Sequence, residues 1–404
     1  MKAASSNSIW SREFILSLLI TLCVTSAIAI ISPITSVYIS ENLGASAGQI
    51  GAISSVMVLF AIFARPLAGF AVDRWGRKYL LAGSAALLTA GNLLLMLPLG
   101  IQGIGINRAF TGIPFALVTT AMTTLTSDLL AEEHRPIGLS YSTILAMLLS
   151  FSIGPTIGLQ VLARFGHAAV IWLSGAFGML AVLGALQVHA QDIKDPASRF
   201  SLANMLDGKA VWFALVLGLA FSGMAGVVTF SPLFSRAMGF GSEGAFFLLY
   251  ALGLVGSRLA NQAATKRNVL KQSAATAILF NALGFTLIGV LRTNTSFLMG
   301  ALVLGFGNGL LSPILFAMAL NLVAPERRGA CNAVMMFAQD SGFVAGSYAF
   351  GWAAQALGSY AAPYTAAAGM MLFPLGVLLL LALPDYNRQL KRRAAHQADS
   401  NKNS

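Results

Sequence analysis

Apolar residues in this chain neither alternate with polar ones nor recur along one stripe of a helix; they run on in long blocks that stop at short polar connections. A helix crossing the hydrocarbon core of a bilayer needs about 20 mostly apolar residues. Blocks of that kind predict twelve helices near 14–38, 48–70, 79–99, 104–128, 139–162, 168–189, 209–235, 243–263, 272–291, 297–323, 330–356 and 362–384. The first is too long for a cleaved leader and is followed by no small-residue cleavage site, so it reads as a retained signal anchor. The one extended polar stretch between helices, 190–208, reads as a cytoplasmic linker. It divides the chain into an N-terminal six-helix bundle (1–189) and a C-terminal one (209–384), with a basic cytoplasmic tail at 385–404. The expected fold class is all-α integral membrane, with twelve helices in two six-helix halves.

Composition agrees with the pattern. The 404 residues are 57% hydrophobic and 10% charged, where about a quarter of a soluble domain is charged. A formal net charge of +11 raises nucleic acid as a partner, but no basic patch interleaved with aromatics is present, which argues against it. The bases instead alternate by connection. Nineteen fall in one set (Lys2, Arg12, Arg74, Arg77, Lys78 and Arg135, then those of 194–209, 266–271, 327–328 and 388–402), and three, Arg164, Arg236 and Arg292, in the other. By the positive-inside rule both termini are cytoplasmic, and the run Arg388–Arg393 reads as a topology signal in contact with anionic lipid.

Chemistry-bearing clusters are scarce. Cys23 and Cys331 lie inside apolar runs, and the four histidines have no mutual spacing for a metal. There is no G-x-x-x-x-G-K-[ST] phosphate loop. Neither a cofactor nor a metal is expected, and a membrane enzyme or receptor, which would need such a cluster at one depth, is disfavoured.

The halves share a pattern. Ala131-Glu132-Glu133-His134-Arg135 matches Ala324-Pro325-Glu326-Arg327-Arg328 at a shift of 193 residues, which also places Arg65 on Arg258; Ser32-Pro33-Ile34 and Ser231-Pro232-Leu233 correspond at a slightly different shift. An internal repeat of six helices is the arrangement of carriers that rock about a site at mid-bilayer. The 40 glycines suit close helix approach, as in any membrane bundle.

The loop after the second helix reads Gly69-Phe70-Ala71-Val72-Asp73-Arg74-Trp75-Gly76-Arg77-Lys78. An acid followed by bases at a helix end can form ion pairs that depend on conformation, and Gly69 and Gly76 permit close backbone approach. The run resembles the loop signature G-x-x-x-D-R-x-G-R-K of the major facilitator superfamily. That resemblance implies that Asp73, Arg74 and Arg77 latch the two halves in the outward-facing state. The equivalent run in the second half, 265–270, lacks the acid and both glycines. Asn107-Arg108-Ala109-Phe110-Thr111-Gly112 looks like the family's R-x-x-Q-G element, tied to proton transfer, with Thr111 in place of glutamine. Ser150 to Leu159 resembles the antiporter element G-x-x-x-G-P-x-x-G-G, keeping Gly154, Pro155 and Gly158, where proline frees a carbonyl and glycine thins the helix to make a hinge. The resemblance implies the proton-driven efflux branch, with drugs, sugars and metallophores among its cargo, and a monomer in the bacterial inner membrane.

Ionisable groups inside a membrane are functional candidates by default. Arg108, with Asn107, and Asp340, beside Gln339, are candidates for proton coupling or the substrate cavity; a carboxyl at that depth can load and release a proton as its surroundings change. Arg65, Asp128 and Arg258 sit at helix ends where a cytoplasmic gate is expected, with contact to lipid phosphate the plainer reading for the two arginines. Asn281, Asn308 and Gln160 are polar at plausible cavity depth. The expected function is export of a small organic solute in exchange for protons, and uptake of a small anion or zwitterion by proton symport is the alternative.

Overall fold

The computed structural model describes residues 9–131, 134–189, 210–267, 269–323 and 327–391. The 190–208 linker, the tail beyond 391, Glu132, Glu133 and the run 324–326 lie outside them. The described elements are helical: α1 (Arg12–Glu41), α2 (Ala47–Trp75), α3 (Arg77–Leu93), α4 (Ile101–Asp128), α5 (Arg135–Leu148), α6 (Gly154–Gln187), α7 (Val211–Phe221), α8 (Ser231–Ala237), α9 (Glu243–Lys266), α10 (Leu270–Thr286), α11 (Asn294–Leu320), α12 (Arg328–Ala356), α13 (Ala361–Met370) and α14 (Leu372–Val377). With no water in hydrocarbon to bond the backbone, a spanning chain must satisfy its own polar groups, and a helix does so locally.

Starts are set by ordinary capping. The Ser11 hydroxyl accepts from the Phe14 N–H at 3.2 Å to open α1. Ser46 and Gln49 bond each other's backbone at the start of α2, as Thr293 and Ser296 do at the start of α11.

Ten helical stretches among the described residues are long and apolar enough to cross a membrane, against the twelve predicted. The difference has two sources. One stretch, Ile137–Gln187, is counted once across 51 residues although it is two rods meeting at Gly166, whose φ of 79° only glycine adopts readily. The other is α12, 29 residues long but too polar to qualify, because it carries Arg328, Gln339, Asp340 and Gln355.

The chain falls into two compact units. Unit one comprises Met1–Phe200 with Glu243–Leu248, and unit two the remainder. In unit one α1 lies along α6, α2 along α4, and α3 between α4 and α6. Its core includes Val24, Leu81, Val118, Ala121 and Ala185. In unit two α7 lies along α12 and α10 along α11. The predicted single helix at 209–235 is in fact interrupted: α7 ends at Phe221, and a wide π-turn at Gly226–Phe230 leads into α8. The Tyr364 hydroxyl donates to the Gly226 carbonyl at 2.6 Å, supplying the break with a bond that the regular ladder no longer provides.

Two glycine seams of unit one recur in unit two at the shift of 193. A Cβ on Gly112 would meet the Met57 carbonyl oxygen at 2.3 Å; one on Gly305 would meet that of Tyr250 at 1.9 Å. A Cβ on Gly91 would strike the Thr111 methyl at 2.3 Å, and one on Gly284 the Leu304 side chain at 2.6 Å. Without a hydrophobic drive between helices in lipid, such close backbone contact is a main source of packing energy, and here it is built twice with the same register.

Candidate functional site

Arg108 is buried, with 6% of its surface exposed. The cause is one turn away. Gly112 lets the backbone of α2 press against α4 at Met57, and this brings the Met57 side chain over the guanidinium. Arg108 donates to the Met57 thioether at 3.7 Å and to the Thr35 hydroxyl of α1. Thr35 donates in turn to the Ile31 carbonyl at 3.0 Å, so its lone pairs face the arginine. No carboxylate among the described residues forms an ion pair with Arg108.

Asn107 does not share that environment. Its Nδ2 donates to the Gly91 carbonyl of α3 at 2.8 Å, and its Oδ1 is buried without a partner. The two adjacent residues therefore serve different helix interfaces.

Around the expected latch, Arg77 does the joining. Its Nε donates to Asp128 Oδ2 at 2.8 Å, and its Nη2 lies 3.7 Å from Asp73. Arg74 sits over the Phe70 ring at 5.7 Å, and Arg135 donates to the Ser127 carbonyl at the end of α4 at 3.1 Å. Asp128, expected at a gate, is thus the ion-pair partner of the loop arginine within unit one. Gly76 has φ 91° and breaks the chain between α2 and α3. Gly69 corrects the expectation placed on it: a Cβ there would meet nothing within 4 Å, so no close approach is made in this conformation.

At the expected hinge, Leu149–Ile153 forms a π-turn between α5 and α6, with the Gly154 N–H reaching the Leu149 carbonyl. Pro155 lacks an N–H, so it cannot donate to the regular helical ladder here. Gly154 and Gly158 face α1, where a Cβ would meet Ala29 Cβ at 2.5 Å and the Ile30 carbonyl at 2.5 Å. The corresponding seam in unit two, five residues off the 193 register, uses Gly342 and Gly346 of α12, whose Cβ positions fall 2.0 Å from the Gly218 carbonyl and 1.9 Å from that of Ser222.

Gln339 and Asp340 are half-buried in α12, beside Ala338, whose carbonyl lies 2.8 Å from the Cβ position of Gly218. Arg65 and Arg258 are both half-buried at matched positions of α2 and α9. Gln160 is exposed. The structure brings Arg77, Asp73 and Asp128 together; Arg108 and Asn107 face different helices, and Asp340 belongs to the other unit.

Two groupings escaped sequence reasoning. The first is Thr35 and Met57 around Arg108. The second is a neutral chain in unit two, where Asn281 donates to Asn308 at 3.2 Å and both Asn308 and the Tyr250 hydroxyl approach the Met224 thioether, at 3.5 and 3.4 Å. Aligning the glycines of the two halves would have pointed to Met57 and Tyr250, which stand at the same register.

Comparison with known proteins decides the family. The family model described as Major Facilitator Superfamily matches residues 17–347. The chain belongs to the major facilitator superfamily. An uncharacterised transporter of this superfamily from Burkholderia mallei is 27% identical over 336 residues, 78% of this chain and 80% of that protein. Multidrug resistance protein 1 of Bacillus subtilis is 24% identical over 172 residues, 43% of each chain. Among solved structures, a point mutant of the nucleoside transporter NupG superposes with a TM-score of 0.71 at 13% identity, covering 94% of this chain and all of that one. The human organic anion transporter MFSD10 gives 0.67 at 16%, covering 91% and 100%. At these identities the likeness establishes the fold. This member of the superfamily is a multi-pass membrane transporter of a small solute rather than an enzyme.

Proposed function

We propose that this transporter exports a small organic solute across the bacterial inner membrane in exchange for protons, by alternating access of two six-helix halves whose termini are both cytoplasmic. The observation that carries export is the Gly154-Pro155-Gly158 element. It matches the core of the antiporter motif, and it coincides with a π-turn packed on α1 through both glycines, a device suited to a helix that must bend during a cycle. Likeness to a protein named for multidrug resistance speaks for the same direction. In this reading Asp340 and Arg108 couple solute to proton, Asp73, Arg74 and Arg77 with Gly69 and Gly76 form the latch, and Arg65, Asp128 and Arg258 guard the cytoplasmic mouth.

The test uses everted vesicles energised to an acid interior, with a pH dye reporting loss of the gradient as solutes are added. Antiport predicts dequenching that is absent in Asp340→Asn and in Arg108→Ala. Acidification driven by the solute in the opposite sense would replace export by symport, the reading favoured if an anion is the cargo. Transport by Asp340→Asn that retains full proton dependence would remove that carboxyl from coupling.

A further inference from the structure

We infer that Thr35 is the residue that positions Arg108, and that it does so from a pliable turn of α1, Ala29–Thr35, clamped by the hinge glycines of α6. The part that Arg108 plays in coupling rests on the exporter reading; the hold that Thr35 has on it does not.

The first observation is how the guanidinium is held. Its five N–H donors form a fixed fork, so its direction is set by its acceptors. Those of Arg108 are the Met57 thioether, reached by Nη1 at 3.7 Å, and the Thr35 hydroxyl, reached by Nη2. Sulfur is a weak acceptor, here on a side chain with three rotatable bonds. Thr35 is the firm partner: β-branching restricts its χ1, and its own proton goes to the Ile31 carbonyl at 3.0 Å, which leaves its lone pairs to the arginine. Helix α1 therefore decides where Arg108 points.

The second is what bears on that part of α1. Both hinge glycines press on it, Gly154 at Ala29 and Gly158 at Ile30, and a Cβ on Gly158 would also meet Ile34 Cδ1 at 2.8 Å. Thr35 is the next residue. Close-packed interiors transmit displacement, so a bend of α6 at the π-turn Leu149–Ile153 reaches the turn of α1 that carries the hydroxyl.

The third is a proline that no role has yet claimed. Pro33 lies inside α1, cannot donate to the Ala29 carbonyl, and so removes a rung of the ladder between the clamp and Thr35. Pro33 and Pro155 thus weaken both helices where the glycines press them together. The matching run Ser231-Pro232-Leu233 opens α8 directly after the π-turn Gly226–Phe230, an interruption at the place where α1 is continuous. Bending at the hinge then moves Thr35, and Arg108 gains or loses its hydroxyl acceptor. Because that acceptor is neutral, release breaks no ion pair.

Purified protein with 15N-labelled arginine side chains, in phosphatidylcholine nanodiscs with no solute and no gradient, is followed by NMR of the guanidinium N–H signals, that of Arg108 being assigned by its loss in Arg108→Lys. Thr35→Val, close in shape but without the hydroxyl, is expected to speed hydrogen exchange at Arg108 Nη2 about tenfold or more, as loss of a hydrogen bond to a charged group implies. Thr35→Ser, which keeps the hydroxyl, is expected to retain the slow rate. Gly158→Ala, pressing on Ile30 and Ile34, is expected to shift the Arg108 signal, whereas Gly175→Ala, which presses on Leu93 of α3 at 2.7 Å from further along α6, is expected to leave it in place. Pro33→Ala, which restores the rung, takes the place of Gly158→Ala if that variant does not fold and is likewise expected to shift the signal. Exchange in Thr35→Val as slow as in the wild type, or equally fast in Thr35→Ser, would overturn the positioning. A signal unmoved by the hinge variant, or moved as far by Gly175→Ala, would overturn the clamp. Because neither solute nor gradient is used, failure of proton antiport leaves this result standing; slow exchange in Thr35→Val, with antiport that Arg108→Ala abolishes in vesicles, would sink the inference and keep the exporter.

Discussion

The same corner of the repeat is held by an ion pair in unit one and, in unit two, by a neutral hydrogen bond and a lysine over an aromatic ring, with no ion pair between the matched positions. Arg77 and Asp128, 2.8 Å apart, stand at the positions that Leu270 and Asn321 occupy after the shift of 193. There Asn321 donates to the Tyr386 hydroxyl at 3.4 Å, and Lys271 sits over the Tyr386 ring at 5.7 Å. Arg108 likewise maps onto Ala301. The seam between the neighbouring helices, by contrast, is the same in both units, Gly112 on Met57 and Gly305 on Tyr250. At these positions shape is built twice and charge once. Packing makes the bundle in each unit, while the corner ion pair and the buried arginine belong to unit one.

The largest effects should come from the shared seams. Gly305→Ala forces a methyl to within 1.9 Å of a backbone carbonyl, and Gly112→Ala to within 2.3 Å. Neither neighbour is a flexible side-chain tip that could swing aside. Overpacking of this kind costs about 1–3 kcal/mol, with the Gly305 variant expected at or beyond the upper end. Thermal unfolding of the two variants in detergent checks it: both should fall, Gly305→Ala further. A variant at wild-type stability would mean that the seam relaxes and that the repeat is not held by it.

Next come the corners. Arg77 and Asp128 have 12% and 24% of their side chains exposed, between the buried case, where loss of one partner costs about 3–5 kcal/mol, and the surface case near 0–1. Asp128→Asn is expected to cost about 1–2 kcal/mol, and a double-mutant cycle with Arg77→Ala should return most of that as coupling. Asn321→Ala, which removes a long neutral hydrogen bond, should cost about 0.5–1 kcal/mol. Equal losses at the two corners would erase the distinction drawn between the units.

How much of this was legible from the chain differs by level. Apolar runs are a strong signal because lipid imposes length, and they put a break between the helices expected at 139–162 and 168–189, where Gly166 with its positive φ ends one rod and starts another. The break they missed, at Ser222–Phe230, is held by Tyr364, far along the chain. Two fragments at the shift of 193 hinted at the repeat, and the glycine seams now carry it. Motif reading found Arg77, Asp128 and Arg108 as individual residues. It did not find Thr35 or Met57 as partners of Arg108, since no local spacing encodes a contact between α1, α2 and α4. Asn107 shows the converse: adjacency to Arg108 in sequence suggested one site, but neighbours on a helix point about 100° apart, and Asn107 faces α3 instead.

The smallest expected change is also the one that separates resting shape from the working cycle. Gly69 begins the charged run of unit one, and its counterpart region in unit two carries no such glycine. A Cβ at Gly69 meets nothing here, and alanine is a better helix former by about 1 kcal/mol. Gly69→Ala should therefore leave Tm unchanged or raise it slightly. If the glycine serves a latch, the backbone must approach another helix in a conformation other than this one, and there the added methyl will clash. Transport in vesicles should then slow while stability holds. Unaltered transport would take Gly69 out of the latch and leave the Arg77, Asp73 and Asp128 group as its whole content.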